Sequence, residues 1–103
     1  MKKVFYRDIK PYHAPRSLID LKGPPCGVLK MPHSLLWNSM DSVDLDIPGG
    51  IAMAYQAILS EGTPEEQERL LNREVLLQYW HDLMLPVRVR TLWETRFPAL
   101  RGL

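Results

Sequence analysis

Ile51-Ala52-Met53-Ala54-Tyr55-Gln56-Ala57-Ile58-Leu59-Ser60-Glu61-Gly62-Thr63-Pro64-Glu65-Glu66 is the stretch whose reading decides the fold. Ile51, Ala54, Tyr55, Ile58 and Leu59 recur at i, i+3, i+4, i+7 and i+8, which lines them along one side of a helix. Gly62 stands just past the last of them, where a residue able to turn left-handed ends a helix. Thr63-Pro64-Glu65-Glu66 then has the form of a capping box, with a hydroxyl at the N-cap, proline at N1 and a carboxylate at N3. Its acidic first turn also suits the helix dipole. One helix therefore stops before residue 62 and a second opens at residue 64.

The same punctuation continues toward the C-terminus. The second helix carries Leu70 and Leu71 inward, and Asn72 breaks it and caps the next. Val75, Leu76, Tyr79, Trp80 and Leu83 mark one face of that third segment. Met84-Leu85-Pro86 forms a turn, because the residue before a proline avoids helical dihedrals. A fourth helix opens at Pro86, points Val89, Leu92, Trp93 and Phe97 inward, and ends at Pro98 and Gly102.

The first half reads differently. Six of the nine prolines fall within residues 1–50, leaving little room for a long helix. Val43, Leu45 and Ile47 alternate with Asp44 and Asp46, the period of a half-buried strand. Residues 35–38 are a candidate pairing partner, residues 27–31 a third short strand and residues 3–9 a fourth. The expected fold class is α+β: short N-terminal strands and an extended arm leading into a bundle of about four short helices. The chain is expected to be a single domain over 1–103, with a basic N-terminal arm over 1–17, short strands and turns over 18–50 and the helical bundle over 51–103.

Composition narrows the function classes. The chain has 103 residues, 46% of them hydrophobic and 24% charged, which is ordinary globular usage. No apolar run approaches the ~18 residues of a membrane span. The start MKKVFYRDIK is basic but is followed by no apolar core or small-residue cleavage site, so it is not expected to be a signal peptide. One cysteine, Cys26, excludes an internal disulfide and a cysteine-based zinc site. A reduced, cytoplasmic setting is the expectation. The net charge of +1 conceals blocks of opposite sign. Residues 1–30 carry seven Lys/Arg against two Asp, 31–50 three Asp alone, 60–83 six acids against two arginines, and 84–103 four arginines against one glutamate. Pairing between these blocks, or with a partner, is implied.

The most enzyme-like feature is Asp44-Leu45-Asp46-Ile47. Two carboxylates one pleat apart can hold Mg²⁺ against nucleotide phosphates, as on the acidic strand of a minimal nucleotidyltransferase. Such an enzyme also needs a glycine-containing turn upstream to seat the phosphates on a helix N-terminus. His33-Ser34-Leu35-Leu36 stands there instead. The plainer reading makes Asp44 and Asp46 the solvent side of a strand, with Asp46 capping the helix that begins near Pro48. His13, His33 and His81 have no histidine or cysteine at ligand spacing, and nothing local pairs His33 with Cys26 as base and nucleophile. Pro48-Gly49-Gly50 precedes a helix but lacks a phosphate-binding motif. No catalytic, cofactor-binding or metal-binding residue is assigned, and no cofactor is expected.

A nucleic-acid reading rests on the last three helices and on Arg88, Arg90, Arg96 and Arg101. Stepping about 100° per residue from Arg88 places Arg96 near 80°, Arg90 near 200° and Arg101 near 220°. Leu92, Trp93 and Phe97 span roughly 40–180° on the same wheel. The arginines divide around the apolar stripe, which suits a groove reader poorly. Arg96 falls inside that stripe beside Trp93, so it must be paired internally (Glu74 and Asp82 are candidates), stacked on an indole, or placed at an interface rim. Three tryptophans are many for so small a core, and one of them is a candidate partner anchor.

The ordered run Leu21-Lys22-Gly23-Pro24, Gly27-Val28-Leu29-Lys30-Met31-Pro32, Leu36-Trp37 and Val43-Asp44-Leu45-Asp46 continues as Tyr55-Gln56-Ala57-Ile58-Leu59, Glu61-Gly62, Leu76-Leu77 and Trp80. It ends with Leu83-Met84-Leu85-Pro86, Val89-Arg90, Leu92-Trp93-Glu94 and Arg96-Phe97-Pro98. Over residues 18–100 the chain resembles a family of small bacterial proteins that look like partners encoded beside abortive-infection-type nucleotidyltransferase toxins. The resemblance implies an antitoxin-like, non-enzymatic component of a toxin–antitoxin system and carries no catalytic residue with it. The leading expectation is therefore a protein that binds and neutralises a toxin enzyme. Lys2, Lys3, Arg7 and Lys10 of the arm, together with Trp93 and Arg96, are the candidate partner-binding residues. A small DNA-binding regulator is the alternative, and a Mg²⁺-dependent nucleotidyltransferase using Asp44 and Asp46 the third. No membrane partner is expected; self-association is compatible with the pattern.

Overall fold

The computed structural model of the chain describes residues 12–32 and 42–101. The strands expected at residues 3–9 and 35–38, and Lys2, Lys3, Arg7 and Lys10, lie outside them. The architecture is α+β, a two-stranded antiparallel sheet joined to four helices. A single 3₁₀ turn at Leu18–Asp20 precedes β1 (Val28–Lys30) and β2 (Ser42–Asp44). Then follow α1 (Gly50–Glu61), α2 (Pro64–Leu70), α3 (Arg73–Tyr79) and α4 (Val87–Arg96), with 3₁₀ turns at Trp80–Asp82 and Pro98–Leu100.

The strands pair Val28 with Asp44, Leu29 with Val43 and Lys30 with Ser42. Leu29 and Val43 face inward while their neighbours do not, the alternation a one-sided sheet requires. The acidic strand is shorter than its pattern suggested. Asp44 Oδ1 accepts the Asp46 N–H at 2.9 Å, which folds the chain into a turn after residue 44. Leu45 stays buried, but Ile47 is turned outward and is 55% exposed.

Each helix boundary has a local cause. Thr63 and Glu66 close the capping box reciprocally, Thr63 N–H to Glu66 Oε1 at 2.9 Å and Glu66 N–H to Thr63 Oγ1 at 3.2 Å. Asn72 Oδ1 accepts the Val75 N–H at 3.1 Å and opens α3. Gly62 ends α1 in an extended conformation (φ −76°, ψ 150°) rather than the left-handed one expected of it. Glycine is needed there for space, since a Cβ would lie 2.6 Å from Ile58 O. Asp46 does not cap α1; that position belongs to Gly49, whose φ of 82° is left-handed. Asp46 Oδ1 instead accepts the Gly27 N–H at 3.1 Å and ties the start of β1 to the turn after β2.

The core gathers Leu29, Met31, Val43 and Leu45 from the sheet segment with Tyr55, Ile58, Leu59, Leu71, Leu76, Trp80, Val89, Trp93 and Leu100 from the helical half. Ala14 and Leu21 join the same cluster from the N-terminal side. Residues 12–17, expected as part of an outlying arm, are thus partly packed against the helices.

Candidate functional site

The expected partner-binding residues separate on inspection. Trp93 is fully buried, its ring centroid 6.2 Å from that of Trp80 and 5.5 Å from that of Phe97. It is a core residue, and its indole is not presented to a partner: the inward stripe it belongs to outweighs its value as an anchor. Arg96 is paired internally, but not with Glu74 or Asp82. Its Nη1 donates to Ala14 O at 3.2 Å and Pro15 O at 3.4 Å, so the guanidinium holds main-chain carbonyls of the N-terminal segment.

Two other arginines of α4 are also engaged within the chain. Arg90 donates to Leu83 O at 2.5 Å and Trp80 O at 3.4 Å, lies 5.1 Å over the Trp80 ring and pairs with Glu94 at 3.8 Å. It satisfies carbonyls left over at the end of the 3₁₀ turn, a role that basic side chains near helix ends commonly take. Arg88 stacks over Tyr12 at 5.6 Å. The basic block of the sequence is spent largely on organising the fold.

The carboxylates are likewise committed to main-chain amides, Asp44 to Asp46 and Asp46 to Gly27. Among the described residues, no group of three or more His, Cys, Asp or Glu side chains is placed to hold a metal ion. His13, His81 and Cys26 are each exposed. Burial pushes the Tyr55 phenol up to about 12, opposed by the hydrogen bond from the Asn72 N–H, 3.0 Å from its oxygen. A phenol held neutral and accepting from the backbone is a structural pin.

What the surface offers instead is apolar. An open cleft of about 350 Å³ lies at the start of α1, lined mainly by Leu45, Ile47, Pro48, Ile51, Ala52 and Tyr79. Met53, the next residue of α1, is 49% exposed. Gln56, one helical turn on, accepts the Met84 N–H at 2.8 Å and brings the loop before α4 against this helix. Met84 is 84% exposed and Val87 79% exposed, on either side of Leu85-Pro86. The cleft opens at the first turn of α1, Met53 is exposed on the same helix, and the bond to Gln56 holds the loop carrying Met84 against it. Methionine adapts its shape to a partner at little cost, which makes such a surface suited to contact. The sequence pattern hides this site, since alternation puts Ile47 inward on a longer strand and Met84-Leu85-Pro86 reads only as a turn. The available signal was the pair of large apolar residues flanking an exposed proline.

A second cavity of about 580 Å³ is lined by Arg16, Asp20, Pro64, Glu68 and Arg96. Its two cations face two acids, so it presents no net charge with which to select an anion. No described helix is long and apolar enough to cross a membrane. Comparison with protein-family models, curated proteins and solved structures finds no match to this chain.

Proposed function

We propose that this chain is a non-enzymatic interaction subunit, antitoxin-like, that docks on and masks a partner enzyme of the nucleotidyltransferase toxin type. The observation that carries the reading is the mainly apolar Ile47–Tyr79 cleft, with Met53 exposed on the same helix and Met84 and Val87 exposed around the loop that Gln56 holds against it. Exposed apolar residues grouped in this way, around side chains able to repack, are what a protein partner desolvates. The engagement of Asp44, Asp46, Arg90 and Arg96 in main-chain bonds supports the same reading, since each has an internal task. The basic arm with Lys2, Lys3, Arg7 and Lys10 adds charge with which to meet an acidic rim on the partner. Cys26, single and exposed, suits a reducing cytoplasmic compartment.

Co-expression with the product of the adjacent open reading frame tests the proposal. The expected result is a stable complex and relief of that product's toxicity. Met84→Asp with Val87→Asp should weaken the complex by about tenfold or more, the loss of a contact worth roughly 1.4 kcal/mol or above. Absence of a complex together with unrelieved toxicity overturns the reading.

A further inference from the structure

Residues 12–23 lie across α2, α3 and α4 and are gripped through their main chain. Gln67 Nε2 donates to His13 O at 2.8 Å, Arg96 Nη1 to Ala14 O and Pro15 O, and Asn72 Nδ2 to Gly23 O at 3.1 Å. In return, Lys22 N–H donates to Glu68 O and Gly23 N–H to Leu71 O, both at 2.7 Å. Ala14, Pro15 and Leu21 are buried along the way. At Gly23 the backbone passes so close to Leu70 O that a Cβ would collide with it. The helices therefore receive a backbone, extended at Ser17 and Leu21 on either side of the Leu18–Asp20 turn, with a few apolar inserts, the chemistry by which a peptide segment is bound.

The segment leaves this receiver through Pro24-Pro25-Cys26-Gly27. Pro25 and Cys26 are exposed, and Gly27 adopts φ 83° with open space around it. Two prolines have no amide hydrogen to bond and favour an extended course. The connector is short: its two prolines stiffen it, and it ends at Gly27, whose N–H and C=O are held by Asp46 Oδ1 and the Leu45 N–H.

We propose that residues 12–23 exchange between two copies of this chain, the strap of each docking in the α2–α4 receiver of the other with Pro24-Pro25-Cys26 as hinge. Every strap contact is the same in the exchanged dimer as in the monomer. The two forms differ only at the hinge and in the freedom lost on pairing. A short connector gives its own strap an effective concentration on the order of 1 mM. The exchanged dimer is thus negligible near ~10 μM protein and comparable with the monomer near ~1 mM. This inference stands apart from the partner reading above.

Lys22 and Asn72 supply the test, because they oppose one another in an antiparallel bridge. Such pairs lie about 4.5–5.5 Å apart at Cα, within the span of a disulfide. A chain carrying Lys22→Cys and Asn72→Cys on a Cys26→Ser background is refolded reduced at about 10 μM and about 1 mM, then oxidised. The expected result is a 22-to-72 link within single chains at low concentration and, at high concentration, a covalent dimer linked 22-to-72 between chains, identified by peptide mapping on non-reducing gels. The unmodified chain, refolded at the same concentrations but kept reduced so that exposed Cys26 cannot link chains, should show the same rise in dimer mass by light scattering, which keeps the test independent of the lost Asn72 cap and its bond to Gly23. An unmodified chain that stays monomeric near ~1 mM overturns the exchange. So does a dimer whose 22-to-72 links all lie within single chains.

Discussion

Glu94→Ala should destabilise the chain by about 2 kcal/mol, far more than a half-exposed helix glutamate ordinarily contributes. Trp80 is fully buried, and its indole N–H donates to Glu94 Oε2 at 2.9 Å. Removing the carboxylate leaves that N–H buried without an acceptor, which costs about 1–3 kcal/mol. The i,i+4 pair between Glu94 and Arg90 adds roughly 0.2–0.5 kcal/mol. Arg90 keeps its bonds to Trp80 O and Leu83 O, so the loss stops there. For a chain of this length about 2 kcal/mol corresponds to a melting temperature lower by about 10 °C. Urea denaturation followed by tryptophan emission reads the effect as a lower midpoint at unchanged slope. Glu94→Gln retains an acceptor and should lose less than about 1 kcal/mol. A double-mutant cycle with Trp80→Phe, which deletes the donor, should give a coupling above about 1 kcal/mol. If Glu94→Ala and Glu94→Gln both match the unmodified chain within about 0.5 kcal/mol, the indole–carboxylate bond contributes nothing and the reasoning fails.

The Tyr55 phenol, pushed up to about 12 by burial, makes stability depend on pH at the alkaline end. Its unfolded value near 10 lies below the folded one, so its contribution is fully present below pH ~10 and is lost as pH rises toward ~12, by up to about 2–3 kcal/mol. Tyr55→Phe should flatten that part of the fall in denaturation midpoints measured from pH 8 to 12, while costing about 1 kcal/mol at neutral pH through the orphaned Asn72 N–H. An unchanged alkaline slope in the variant refutes it. Gly62→Ala should destabilise by about 1–2 kcal/mol through its contact with Ile58 O, although the position is not left-handed. Thr63→Ala next to it should cost about 1 kcal/mol by opening the capping box; thermal melts of the two separate steric from capping effects. Met84→Asp should leave stability within about 0.5 kcal/mol of the unmodified chain, because the side chain is 84% exposed. A larger loss in its melt would mean that Met84 is packed, and its loop would cease to be a contact surface.

The four helices were legible because their signals are local. A capping box spans four residues and an apolar stripe repeats within one turn, so Thr63, Glu66, Asn72 and the stripe from Ala54 to Leu59 carry their own explanation. The strand at residues 42–44 was half legible: the alternation was real, but the turn bond from Asp46 N–H to Asp44 ended it before Ile47. What stayed hidden depends on distance along the chain. The partners of Gln67, Asn72 and Arg96 in the strap lie 54, 49 and 82 residues away, and no window on the sequence joins them. The stripe marks Arg96 as needing a partner, but the partner is a pair of carbonyls, which every residue carries and no pattern marks. The stripe places Trp93 inward with Val89 and Phe97, as the structure has it, and that burial overrides the value its residue type would have as a partner anchor. The apolar surface is hidden for a related reason, since an exposed methionine and a buried one look alike until the neighbours are placed.

The grip on the strap also divides the tolerance to substitution unevenly between the two sides. Gln67, Asn72 and Arg96 read oxygen atoms common to all amino acids, so the side chains of His13 and Arg16, both exposed, carry little of the information that seats the segment. Sequence drift is therefore cheap at the exposed strap positions and expensive on the receiver, whereas buried Ala14, Pro15 and Leu21, and Gly23, whose neighbour leaves no room for a Cβ, are held fixed. Saturation mutagenesis across the chain would show a flat profile at positions 13 and 16 and a steep one at 23, 67, 72 and 96. Relatives of this chain would then diverge first in a segment that nonetheless keeps its place in the fold.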